Sequence, residues 1–166
     1  MPPPRLELAV QYASSMRNMP TRAQLRRWVR AALEHDARIT IRLVGQAEGR
    51  ALNRAYRGRD YATNVLTFVF RERPPYEGDL AICAPVVARE ARAQGKSVAA
   101  HYAHLAVHGV LHLQGYDHES DADAAVMENR ETAILARLGQ RDPYAAVEHN
   151  TKKRAARTAA GNAHVR

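Results

Sequence analysis

The chain reads as an α+β fold: a single domain in which a mixed sheet of about four strands is packed with helices. Three observations predict it. Short runs of alternating apolar residues open the chain and recur near residue 40. A β-branched and aromatic run, NVLTFVF, is followed across a proline- and glycine-bearing turn by another, DLAICA. A strongly apolar stretch, Val98 to Leu113, is long enough for a largely buried helix.

Taken in order, Leu6, Leu8, Val10 and Tyr12 alternate with Glu7, Ala9 and Gln11, the pattern of a half-buried strand. Pro20-Thr21 opens a helix, since Thr21 and Gln24 have capping-box spacing. Leu25, Trp28, Val29, Ala32 and Leu33 form its apolar stripe, with Arg22, Arg26 and Arg30 on another face. Ile39, Ile41 and Leu43 make a second strand. Gln46 to Tyr56 reads as a short helix despite Gly49. Asn64 to Phe70 is the third strand. Arg71 to Gly78, with Pro74-Pro75, is a turn region, and Asp79 to Ala84 is a fourth strand antiparallel to the third. Pro85 suits a helix first turn and Gly95 its end. Val98 to Leu113 is the next helix. Ser120 and Asp123 have the spacing of a further helix start, and Gly139 closes that helix.

At 166 residues the length suits one core, with the domain spanning 1–142. A basic tail, 143–166, carries Lys152, Lys153, Arg154, Arg157 and Arg166 with little that could pack, and is expected to be disordered. No apolar run approaches the ~20 residues of a membrane span. The start, MPPPRLELAV, lacks the pattern of a signal peptide. Cys83 is the only cysteine, so no internal disulfide forms and a cytoplasmic compartment is expected. The formal net charge of +8, nearly all of its basic side arginine, favours a polyanionic partner, nucleic acid first.

The chemistry concentrates in HGVLHLQGYDH. His108 and His112 lie four apart and leave one helix face a turn apart. Gly115 can end the helix in the left-handed conformation and let the chain bring His118 back. Three imidazoles converging on one point, with a fourth position left for water, suit a catalytic zinc. The histidines and Gly115 have the offsets of the zinc peptidase pattern HExxHxxGxxH, a zincin-like His-helix site. The peptidase glutamate, however, is Gly109 here. Metal-bound water ionises near pH 7, at about 7, without that glutamate, but a peptidase would lack its proton shuttle. Phosphodiester hydrolysis asks instead for cations on the phosphoryl oxygens. Arginine's planar fork supplies these, and Arg57, where a helix gives way to a loop, is the best candidate.

Other residues near the site have two readings each. Asp117 could orient a ligand imidazole or accept a proton, or simply make a local turn hydrogen bond. His101 and His104 share the ligand stripe and could bind substrate phosphate or brace the site, but read first as ordinary polar residues beyond the metal, since the three-ligand set is already complete. Tyr116 could stack on a base, with packing as the plainer role. Cys83 reads as a small buried strand residue.

HGVLHLQGYDH resembles the signature of the YbeY family of bacterial metal-dependent endoribonucleases. LNRAYRGRDYATNVLTFVF resembles that family's second segment and GDLAIC its third. Ala62 and Val69 stand where the family usually has proline, and Thr67 where it has serine. The resemblance implies zinc on His108, His112 and His118, with Arg57 facing it across a cleft. It also implies cleavage of single-stranded RNA, maturation of the 3′ end of small-subunit ribosomal RNA, ribosome quality control, and ribosomal RNA or ribosomal proteins as partners. Two alternatives remain at this point: a zinc metallopeptidase, and a non-catalytic ribosome-assembly factor with a structural metal. A protein group in the fourth coordination position would mark the latter.

Overall fold

The computed structural model describes residues 2–140 and the backbone of residues 164–165. The described chain runs β1 (Leu6–Ala13), α1 (Arg22–Ala32), β2 (Ala37–Val44), α2 (Gln46–Arg57), β3 (Val65–Arg71), β4 (Tyr76–Cys83), α3 (Ala84–Gln94), α4 (Val98–Leu113), α5 (Asp121–Arg137) and β5 (His164–Val165). The expected four-stranded mixed sheet is present. Its order is β1-β2-β4-β3, with β1, β2 and β4 parallel and β3 antiparallel to β4. Two details differ from the sequence expectation. β4 begins at Tyr76 rather than Asp79, because its early residues pair with both neighbours, Tyr76 with Ala37 and Glu77 with Arg38 and Arg71. The two-residue β5 adds a parallel strand beside Thr67 and Phe68, inside the stretch expected to be a disordered tail. The remainder of the 143–166 segment lies outside the described residues.

Local chemistry sets the helix ends. The hydroxyl of Thr21 accepts from the Gln24 amide, while the Gln24 side chain accepts from the Thr21 amide. Ser97 and Ser120 accept from the amides of Ala100 and Asp123, starting α4 and α5. Gly49 is tolerated inside α2 because the helix lies against β4: a Cβ there would meet the Cys83 sulfur at 2.9 Å.

Side chains alternate across the sheet, which divides its helices. Ile39, Ile41, Leu80 and Ile82 face the main core, with α1, α4 and α5. Leu66 and Ala81 face the other way and take Leu52 of α2. α4 lies at the centre of the core, buried from His101 through Leu113. Each fully buried Leu or Val there contributes about 1.5–3 kcal/mol, so the helix is anchored by its apolar residues. Buried Gln114 ties its end to α1: the amide donates to the Ala32 carbonyl, and the side-chain oxygen accepts from the amides of Glu34 and His35. No described helix is long and apolar enough to cross a membrane.

Gly78 marks where α4 and β3 close on β4. A Cβ there would sit 2.3 Å from Leu113 Cδ1 and 2.4 Å from the Phe68 carbonyl oxygen. Gly78→Ala is expected to destabilise by about 1–3 kcal/mol, since a backbone oxygen cannot turn aside. A lowered urea midpoint at unchanged slope would register it.

Candidate metal centre

The histidines at 101, 104, 108 and 112 repeat along one stripe of α4, and all four are buried. Gly115 then takes φ +100, its amide donating to the His112 carbonyl and the Tyr116 amide to that of Leu111. This turn returns the chain and brings His118 to the helix end. The His118 ring centroid lies 6.0 Å from His108 and 5.3 Å from His112, and those two are 6.1 Å apart. The structure therefore brings together the three residues predicted to ligate. The Nε2 atoms of His112 and His118 are enclosed by protein. No group of three or more His, Cys, Asp or Glu among the described residues is already closed to coordination distances.

The hydrogen bonds determine which nitrogen of each ring is available. The His112 Nδ1–H donates to the Tyr116 carbonyl at 2.6 Å. A carbonyl can only accept, so the lone pair of His112 is on Nε2. His108 Nδ1 lies 2.5 Å from a carboxylate oxygen of Glu131, which is wholly buried. Burial works against the ionised form of Glu131, but the neighbouring His108 and His104 outweigh it and hold the carboxyl below its ordinary range. An ionised carboxylate also only accepts, so His108 too presents its lone pair at Nε2. A metal-binding imidazole is set up in this way, with the far nitrogen held by an acceptor. The donor set fits a zinc ion or a neighbouring transition metal.

Glu131 was not legible as a site residue in the sequence. Its one signal is a carboxylate on the stripe of α5 that carries buried Met127, Ile134 and Leu135. Two other buried histidines extend the network. His104 Nε2 is 3.9 Å from Glu131, and burial pushes its pKa down to about 4. His101 Nε2 lies 2.8 Å from Glu90, which also accepts from the Asn64 amide. Burial raises the Glu90 carboxyl, but these two partners prevail and keep it below its usual value.

Asp117 is half-buried and accepts from the Glu119 amide at 3.1 Å; the carboxylate on a predicted ligand ring belongs to Glu131. The Tyr116 hydroxyl donates to Glu34, which also takes Arg130, so this ring braces the loop. Arg57 is the last residue of α2, followed by Gly58 at φ +68. Asn53 donates to the Tyr61 carbonyl and Arg50 pairs with Asp60, fixing the loop beyond. Arg57 itself is half-buried and makes no ion pair or hydrogen bond among the described residues. Tyr56 beside it packs edge-on against Phe68 at 5.1 Å. Thr67, the next residue on β3, lies on the opposite face near Gly109.

The hydrogen-bond pattern has a direct spectroscopic consequence. Long-range ¹⁵N–¹H correlation on metal-free protein above pH 8 is expected to show both His108 and His112 protonated at Nδ1. Glu131→Gln is expected to leave His112 unchanged while mixing the tautomers of His108.

The family model described as Endoribonuclease YbeY matches residues 10–139. Endoribonuclease YbeY of Thiobacillus denitrificans is 62% identical over 143 residues, covering 85% of this chain and 97% of that protein. Endoribonuclease YbeY of Aromatoleum aromaticum is 60% identical over 144 residues, covering 85% and 94%. In three dimensions the chain resembles the solution structure of TM1509 from Thermotoga maritima, with a TM-score of 0.52 and 22% identity, covering 86% of this chain and 97% of that one, a likeness of fold. With a match through nearly all of the described domain and relatives this similar along almost their whole length, the chain belongs to the Endoribonuclease YbeY family.

Proposed function

We propose that the protein is a zinc-dependent endoribonuclease specific for single-stranded RNA. It acts in the cytoplasm on the 3′ end of small-subunit ribosomal RNA and in ribosome quality control, in contact with the ribosome or its proteins. Membership in the family supports the cleavage of RNA phosphodiester bonds. The observation that carries the metal is the pair of imidazoles, His108 and His112, fixed with Nε2 lone pairs beside a third, His118.

In this reading His108, His112 and His118 hold the ion, while Glu131 and the Tyr116 carbonyl keep two of the rings in their binding orientation. Zinc, when bound, supplies a nucleophile near neutral pH and polarises the phosphoryl group. Arg57 binds a phosphoryl oxygen with its unengaged fork and stabilises charge that grows there. Asp117, at the loop bearing His118, is the proton acceptor. The attacking group is water or a ribose hydroxyl.

The peptidase alternative is opposed by packing. Residue 109 faces the sheet, where a Cβ would meet Leu80 Cδ2 at 2.4 Å, so no glutamate fits beside His108. The structural-metal alternative is opposed by the neighbours available for a fourth position. Cys83, the one thiol, packs with Val44, Ala62 and Val86 around α2, away from the histidine stripe of α4.

The test is cleavage of a single-stranded RNA and of an unstructured protein by zinc-replete enzyme. RNA alone is expected to be cut. His112→Ala is expected to abolish cutting, and Arg57→Ala to lower kcat by about 10²–10³-fold. RNA cleavage that persists at the original rate in His112→Ala would refute the assignment.

A further inference from the structure

A second feature lies at the other end of α4, where the carboxyl ends of the parallel strands gather, a place where α/β sheets commonly bind ligands. The loop following β1, one side of α3, the α3–α4 turn and the start of α4 enclose a cavity of about 340 Å³. Its wall carries Arg17, Arg92 and Lys96, with Asn18 and Ser97 beside them and no acidic side chain. Arg17 and Arg92 form no ion pair among the described residues, unlike Arg38, Arg42, Arg50 and Arg130, each matched to a carboxylate. The floor includes Tyr102, which is 1% exposed and makes no hydrogen bond among the described residues. Its hydroxyl is not sealed from solvent and can donate to an occupant of the cavity.

We propose that this cavity binds a phosphate of the RNA backbone, holding the strand at a point remote from the cleavage site. Three cations and hydroxyl donors suit a phosphodiester, whose oxygens only accept. Val98 and His108 are ten residues apart on α4, about 15 Å along the axis, but α4 is buried between them, so a strand passes over the surface and needs several nucleotides to reach both sites. The cavity contributes to affinity and leaves the chemical step alone. The proposal rests on RNA being the substrate, and its test separates the two.

The experiment compares wild type with Arg92→Ala/Lys96→Ala and with Tyr102→Phe. Cleavage is measured on a single-stranded RNA of about twenty nucleotides and on a trinucleotide too short to reach the cavity. For the long RNA the double variant is expected to raise KM about tenfold at unchanged kcat. The slope of log KM on log salt should shrink by about one to two. The trinucleotide should show no change. Tyr102→Phe should give a smaller rise in KM on the long RNA alone. Independently of cleavage, inorganic phosphate should shift the amide resonances of Ser97 and its neighbours in the wild type and not in the double variant. An unchanged KM on the long RNA overturns the proposal, even where inorganic phosphate binds, because the cavity then serves small anions only. An equal loss on both RNAs overturns it as well. Failure of the wild type to cut any RNA removes the endoribonuclease reading, while the phosphate titration still reports on the cavity.

Discussion

The structure depends on a conflict within α4. The helix is so apolar that it sits at the centre of the core, yet one of its stripes carries four histidines that are buried with it. Buried imidazoles need partners, and the helix cannot supply them from its own backbone. Glu90 of α3 serves His101, Glu131 of α5 serves His104 and His108, and the Tyr116 carbonyl serves His112. The packing of α3 and α5 against α4 is therefore an electrostatic requirement as well as an apolar one. The same match determines which nitrogen of His108 faces its neighbours, so the fold and the chemistry of the site share a single constraint.

Basic charge has a different role. The exposed pairs, such as Arg38 with Glu7 and Arg50 with Asp60, are each worth about 0–1 kcal/mol and do little to hold the sheet. The stability of this domain comes from the two faces of its sheet, one closed by α1, α4 and α5 and the other partly by α2. The excess of arginine is then available as a field around the molecule, which raises encounter with polyanions and weakens with salt.

Much of this was legible in the sequence because it is encoded locally. The caps at Thr21, Ser97 and Ser120 are three-residue signals, and the turn at Gly115 needs only a glycine in the right place. The histidine spacing places His108 and His112 on one face without any knowledge of the tertiary structure. What was not legible is held between distant segments. Glu131 lies twenty-three residues beyond His108 and meets it only through helix packing, which periodicity does not encode. The burial of His101 and His104 likewise follows from the depth of the whole helix. The two-residue β5 carries no strand signal, and the early start of β4 depends on its pairing partners. Asp117 adjoins His118 in sequence, whereas the carboxylate on the His108 ring comes from Glu131 on another helix.

Gly109 began as the residue that sets this site apart from the peptidase pattern. Its contact with Leu80 gives that difference a mechanical basis. The two chemistries are separated here by the distance between a helix and the strand beneath it, and not by one codon. A designer wishing to move this scaffold from one to the other would first have to hollow out β4 or lift α4. Either change would disturb the Leu, Val and Ile contacts that keep the histidines in register. The reaction class is thus protected by the hydrophobic core behind the site.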